Sequence, residues 1–537
     1  MSYRKKQKTT NVEHNFVISA KLPTKISTIT FKKILSPELY NTLLHITNDV
    51  KFYDDEAVIK ISEIYKYYTE LKKLCNDGMM YLSYLCAILE QVYDDDIKLV
   101  QKMKTDNLIE FKQLNLLMPI GSYVVGKSTL GHIVGGTVLS LSTHFNGEIN
   151  VTYITTASIK SNGESFFKKQ VLYTINEFCG LTKIDELSVR PMMPEDKKML
   201  IERGKKYVEF GIGHKYLAYR GNMFVETWFG PHLYNATGRI MVDIVGHKRC
   251  NPNYRSDNEK EMYSASELND NDFSVMWPFL PAFSFASKRW GSAIINNIKQ
   301  IEFDDDAFDC LVMDKEKKEI TKLLIINSKV GFTDVISGKS GGCIFLLHGP
   351  PGTGKTLTAE AISELLHEPL YPITSGELGT NPAEVEEKLG SALSLVESWG
   401  ANILIDEADV FLEKRDNINL KRNAVVSIFL KTLEKYNGKM FLTTNRITEI
   451  DEAFASRVTM IFEYNELNES NRFEVFSNLL KKAKMDLPTD DIVALSKLEL
   501  NGREIKNLIR LAGILAFDEK NAVSISHFNK IIRIMKK

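Results

Sequence analysis

Cysteine is scarce in this chain of 537 residues, and so is anything resembling a membrane span or a charge excess. The six cysteines, Cys75, Cys86, Cys179, Cys250, Cys310 and Cys343, are too few for a disulfide scaffold, and no two stand at metal-ligand spacing. They read as free thiols of a reducing compartment. The histidines are dispersed, and spacing alone gives no metal triad, no Ser-His-Asp set and no Cys-His pair. The longest apolar run, MMYLSYLCAIL (79–89), is broken by Ser83 and followed by Glu90, so it reads as a buried helix. A formal net charge of -1 leaves no global field to draw the chain onto nucleic acid or an anionic surface. The basic opening MSYRKKQK is too short to change that, and no signal-peptide pattern accompanies it. The expectation is a soluble intracellular chain, in cytoplasm or nucleus. With 44% hydrophobic and 26% charged residues, it has the composition for about three or four packed domains.

Two stretches share the spelling of a phosphate-binding loop: GSYVVGKS (Gly121–Ser128) and GPPGTGKT (Gly349–Thr356). Such a loop must follow a buried strand and open a helix, so that successive amides and the helix N-terminus converge on the phosphates. The second match does so. The apolar run CIFLLH (343–348) precedes it, and TLTAEAISELL follows, with Leu357, Ala361, Ile362, Leu365 and Leu366 on one helical face. Gly349, Gly352 and Gly354 permit the wrap, Pro350 and Pro351 stiffen it, and Thr353 completes it. Lys355 is placed to reach the outer phosphates, and Thr356 to put its hydroxyl on Mg²⁺. In the first match Tyr123, Val124 and Val125 fill the wrap, and β-branched residues resist the dihedrals it needs. The glycines that follow, Gly131, Gly135 and Gly136, would break a helix; the segment reads as two strands and a glycine turn. One nucleotide site is expected.

Further along, NILIDEAD (402–409) is an apolar strand ending in two carboxylates. Asp406 suits Mg²⁺ held through water, and Glu407 suits orienting and deprotonating an attacking water. KMFLTTNR (439–446) is a second such strand. Its Asn445 could position the water beside the γ-phosphate, although a TTN tripeptide on its own is more often just a turn. Arg457, in DEAFASRVTMIFEY, could reach a neighbouring subunit's ATP. Arg503 opens a helix after Gly502 and reads either as a phosphate contact or as a solvated cap.

In order and content these segments resemble the AAA family of ring ATPases over roughly 305–537. GPPGTGKT looks like Walker A, LIDEAD like Walker B, TTNR like sensor 1, SRV like the arginine-finger region and GREIKN like the sensor 2 helix. ITSGELG, DEADVFLEKR, KRNAVVSIFLKTLEKYNG and DEAFASRV look most like a subgroup common in fungi, with one ATPase module after a poorly characterised N-terminal region. Residues 160–300 resemble that region more loosely, and the Lys-, Asn- and Ile-rich composition suits an AT-rich genome such as that of a large DNA virus. The resemblance implies a nucleotide site built from Gly349–Leu357 and Arg503, with Lys355, Glu407, Asn445 and Arg457 catalytic and Thr356 and Asp406 on Mg²⁺. It also implies a homo-oligomeric ring, a hexamer, that spends ATP on remodelling a macromolecule. One departure stands out. SGELGTNPAEVEEKL (375–389) has no aromatic where many relatives carry one to line the pore, and instead reads as a helix capped by Asn381 and opened by Pro382.

The expected fold is α/β: a P-loop NTPase parallel-sheet core (305–465) and a C-terminal helical lid (466–537). A disordered basic tail (1–32), a helical segment (33–118) and a β-rich N-terminal domain with a polar linker (119–300) precede them. WPFLPAFSFASKRWG is expected to pack between domains. A protein client is favoured. The alternatives are a nucleic-acid motor or loader and a nucleotide-gated scaffold that does not hydrolyse.

Overall fold

The computed structural model divides the chain into two compact units, 1–300 and 301–537. It describes residues 16–21, 25–33, 37–47, 50–75, 80–251, 259, 261–326, 342–412, 420–446 and 452–535. The opening MSYRKKQK, the NYRSDN of the polar linker and the EKR of DEADVFLEKR lie outside these.

In the C-terminal unit, five strands form one sheet: β1 (Cys343–His348), β2 (Leu370–Thr374), β3 (Asn402–Asp406), β4 (Lys439–Thr444) and β5 (Met460–Glu463), in the order β2-β3-β4-β1-β5. Every pairing is parallel. Helices cover a parallel sheet on both faces, so its strands read as unbroken apolar runs. Phe345, Leu346, Leu347, Ile403, Ile405, Phe441 and Leu442 are fully buried, and Phe345 stacks on Phe441 with ring centroids 5.2 Å apart. The longer helices are α1 (Lys315–Ile326), α2 (Lys355–Leu366), α3 (Pro382–Trp399) and α4 (Leu420–Lys435). Asn381 caps α3 and Pro382 opens it, and Val385, Leu389, Leu393 and Val396 form its buried face. Leu357 departs from expectation. Ala361 and Ile362 pack on the sheet, whereas Leu357, on the first turn of α2, is 54% exposed. A helical lid follows, α5 (Glu469–Lys482), α6 (Thr489–Ser496), α7 (Gly502–Asp518) and α8 (Ile525–Met535), around Phe476, Leu480, Ile505, Leu508 and Phe528.

The N-terminal unit is built on antiparallel sheets. A three-stranded sheet, Phe16–Lys21, Lys25–Lys32 and Glu56–Lys60, shares a core with the helices Pro37–Thr47, Tyr68–Leu74 and Met80–Thr105. Two corrections follow. The tail expected to be disordered carries two strands, and VIK (58–60) ends a strand, Glu56–Lys60, where the reading was helical. In both cases the period-2 pattern matters only once pairing aligns it: Ile29 stands opposite Ile59 and Phe31 opposite Ala57, all buried.

A six-stranded sheet runs Val189–Pro191, Tyr123–Lys127, Ile133–Phe145, Asn150–Ser161, Phe166–Asn176, Met262–Tyr263. The first phosphate-loop spelling is therefore a strand, not a loop. Gly135 and Gly136 lie inside the next strand: a Cβ on them would sit 2.1 Å from the Ser274 carbonyl oxygen and 2.9 Å from Thr156. A seven-stranded sheet includes Phe279–Ser284 and Arg289–Ile294, and Leu280, Ala282 and Ala293 are buried in its core. WPFLPAFSFASKRWG thus supplies core strands of this unit. Two more corrections concern this region. Pro194–Phe210, inside a segment read as strands, is a helix, with Arg190 paired to Asp196 in its first turn at 2.6 Å. The end of the polar linker is ordered as strand Met262–Tyr263 and helix Asp270–Ser274. At the tip of the hairpin Asn222–Thr227/Gly230–Asn235, Trp228 and Phe229 are fully exposed. Among the described residues, no helix is long and apolar enough to cross a membrane, and no cluster of His, Cys, Asp and Glu could by itself hold a metal.

Candidate functional site

The loop 349–354 joins β1 to α2. Gly349, Gly352 and Gly354 have φ of +145°, +80° and +105°, a region that favours glycine. Two of them are also closely overlaid. A Cβ on Gly349 would lie 2.1 Å from the Tyr464 carbonyl oxygen, and one on Gly352 would lie 2.5 Å from Asn501 Oδ1. Gly354 differs, with nothing within 4 Å of its would-be Cβ, so this side of the loop is open. The lid is fastened here, as the Gly502 N–H donates to the Gly352 carbonyl at 2.9 Å.

Lys355 begins α2 and is 8% exposed, and its Nζ donates to the carbonyls of Gly349 and Pro350 at 2.7 Å each. Burial holds its pKa below the ordinary lysine range. The charge of Arg503 lowers it further, while Asp406 and Asp409 act in opposition. Arg503 is set by the Asn501 cap of α7. Asn501 Oδ1 accepts from the N–H groups of Arg503 (3.0 Å) and Glu504 (3.1 Å), and Glu504 accepts from the Asn501 N–H at 2.8 Å. A core lysine and a lid arginine are therefore close enough to repel one another beside a glycine loop at a helix N-terminus. That arrangement favours an anion between them, and the residues fit a polyphosphate.

The carboxylates stand at the C-terminal edge of the sheet. Thr356 Oγ1 donates to Asp406 Oδ1 at 3.3 Å, so a hydroxyl and a carboxylate converge. This all-oxygen pair has the donor chemistry Mg²⁺ prefers. Asp406 also accepts from the Thr443 hydroxyl on the adjacent strand. The same hydroxyl accepts from the Glu407 N–H at 3.1 Å, and the Thr443 carbonyl accepts from the Ala408 N–H at 2.8 Å. Those bonds hold Glu407 at φ +55°, unusual for a residue with a side chain, and its carboxylate is exposed. Asp409 accepts from the Thr444 hydroxyl. Asn445 is exposed on the turn just beyond β4, one residue past Thr444.

Arg457 lies after the short helix Glu452–Ala455 and is engaged within its own chain, donating to the Ala453 carbonyl and pairing with Glu434 of α4. The structure thus brings together Gly349–Thr356, Asp406, Glu407 and Arg503, with Asn445 at the adjacent strand end; Arg457 is turned toward Glu434. Sequence reasoning missed Thr443, which fixes both carboxylates' backbone or side chain, and Asn501, which seats the lid on Gly352. It also missed Tyr464, whose carbonyl closes over Gly349 and whose hydroxyl bonds Thr358 Oγ1 at 2.6 Å. Thr443 had a signal, being a polar residue inside an apolar strand; Asn501 and Tyr464 had none beyond the cap pattern.

Residues 345–466 match the family described as ATPase family associated with various cellular activities (AAA), and residues 100–195 match a domain of unknown function (DUF7025). Among curated relatives, the chain is 31% identical over 212 residues to ATPase family AAA domain-containing protein FIGL1 of Arabidopsis thaliana, covering 37% of this chain and 31% of that protein. It is 30% identical over 190 residues to Ribosome biogenesis ATPase RIX7 of Saccharomyces cerevisiae, covering 32% of this chain and 22% of that protein. It is 29% identical over 230 residues to Spastin of Bos taurus, covering 41% of this chain and 36% of that protein. The matches therefore span about a third or less of the first two relatives' lengths. A crystal structure of the FIGL-1 AAA domain in complex with ADP is similar at 21% identity with a TM-score of 0.34, covering 42% of this chain and 82% of that one.

Proposed function

We propose that the C-terminal unit, whose residues 345–466 match the AAA family, binds and hydrolyses ATP and that turnover drives remodelling of a protein client. The observation behind this reading is the convergence of an open glycine loop, the Lys355–Arg503 cation pair and the Thr356–Asp406 contact at one sheet edge. In the proposed mechanism the amides of Gly352 to Leu357 cradle the phosphates, with Pro350, Pro351 and Thr353 holding the loop's shape. Lys355 exchanges its two carbonyl partners for phosphate oxygens, and Arg503 brings the lid's charge to the same group. Thr356 and Asp406 would hold Mg²⁺, which neutralises phosphate charge when bound. Glu407 accepts the proton of the attacking water, and Asn445 orients that water.

Arg457 completes the site of a neighbouring copy in a ring, which we take to be a hexamer. For this it must leave Glu434. Relatives named as a ribosome biogenesis ATPase and as a 26S proteasome regulatory subunit 4 homolog support a protein assembly as the client class. The test uses Glu407→Gln. Its ATP turnover should fall by about 10²–10⁴-fold with nucleotide binding retained, and mass spectrometry of what co-purifies with the ATP-trapped protein should return a protein. Unchanged turnover would sink the hydrolysis reading, and selective recovery of nucleic acid would sink the client reading.

A further inference from the structure

Cys75 caps the helix Tyr68–Leu74, and Cys86 lies inside Met80–Thr105. Their sulfur atoms are 3.1 Å apart. We propose that Cys75 and Cys86 are a disulfide-forming thiol pair, a redox modification site in the N-terminal unit. The bonded distance is about 2.05 Å, so closure asks for a shift of the order of 1 Å between side chains already in contact. The two helices are also tied next to the pair. Lys72 Nζ donates to Glu90 at 2.8 Å, which joins the same two helices, and to the Tyr68 hydroxyl of its own helix at 2.7 Å. Cys86 is 5% exposed among Leu82, Leu85 and Leu89, whereas Cys75 is partly exposed.

That asymmetry assigns the order of events. An oxidant from solvent meets Cys75 first. With a peroxide, the Cys75 sulfur attacks one oxygen, an S–O bond forms, the O–O bond breaks, and a sulfenic acid and water result. The Cys86 sulfur then attacks the Cys75 sulfur. An S–S bond forms, the S–O bond breaks, and the departing hydroxide takes the Cys86 thiol proton and leaves as water. Two thiols have lost two protons and two electrons, and the peroxide has become two waters. Burial pushes the Cys86 thiol up to about 12, so Cys86 stays protonated and waits as the resolving partner rather than initiating. A dithiol reductant reverses the step.

Exposure alone would send oxidation to Cys179, Cys250 and Cys310, which are all exposed. The pair competes because its second sulfur is already in place. The test treats the native full chain with limiting hydrogen peroxide, alkylates it, and maps the digest. The expected result is joint loss of alkylation at Cys75 and Cys86, a peptide linking the two, and recovery of both thiols with dithiothreitol. In Cys86→Ser, with folding checked by circular dichroism, Cys75 should be trapped as a dimedone adduct instead. Two outcomes would overturn the proposal: a wild-type map with Cys75 sulfenic or sulfinic acid and no linked peptide, or a linked peptide that forms no faster in native protein than in urea. Both are read on the wild-type chain, so neither depends on a variant that folds.

Discussion

The sheet of the C-terminal unit and the sheets of the N-terminal unit bury their side chains by opposite rules. In the first, parallel strands such as β1 and β4 are covered on both faces and carry an unbroken apolar run, with polar residues toward their ends. In the second, long antiparallel strands such as Phe166–Asn176 alternate buried and exposed positions and admit glycines where another chain segment passes close by. The first rule leaves continuous runs with glycine and acidic punctuation at their ends, which is also where the site lies. The second leaves a pattern that only pairing makes meaningful. Chemistry and legibility therefore coincide in one unit and separate in the other.

The comparison is most sharply tested by Arg457→Ala. If that arginine serves a neighbouring copy, turnover should drop by about 10³–10⁵-fold while each protomer still binds nucleotide. A small effect, measured by steady-state ATPase assay, would leave Arg457 as a structural partner of Glu434. Next come two core truncations. Phe441→Ala should destabilise the C-terminal unit by about 3–5 kcal/mol, and Leu280→Ala the N-terminal unit by about 2–5 kcal/mol. Calorimetry should show each lowering one transition and sparing the other; one shared transition moved by both would break the division into units. The smallest effect concerns pH. The depressed pKa of Lys355 means the free protein loses that positive charge at a lower pH than an ordinary lysine would. Bound phosphate favours the charged form, so affinity for ATP should be flat at neutral pH and fall as pH rises through the lowered pKa. Fluorescence titration of a nucleotide from about pH 7 to about pH 10 reads this, with Lys355→Arg as the flat control.

How much of the site was readable follows from sequence separation. Gly349–Thr356 is one contiguous turn between a strand and a helix, and its chemistry is spelled within eight residues. Asp406 and Glu407 end an apolar strand, so their edge position is also local. Thr443 and Asn501 act on those residues from 36 or more positions away, through a strand register and a lid contact. The strand Lys25–Lys32 was lost for a related reason, since its partner Glu56–Lys60 comes after an intervening helix.

Sequence by itself determined the nucleotide loop, the paired carboxylates and the apolar strands of a parallel sheet around them. Each is written in adjacent residues whose backbone and burial requirements are local. Only tertiary structure decided that the Arg503 charge acts on Lys355, that Arg457 rests on Glu434 within its own chain, and that two of six scattered cysteines touch. Those are meetings between separate elements, set by how helices pack, and the periodicity within any one element carries no record of them.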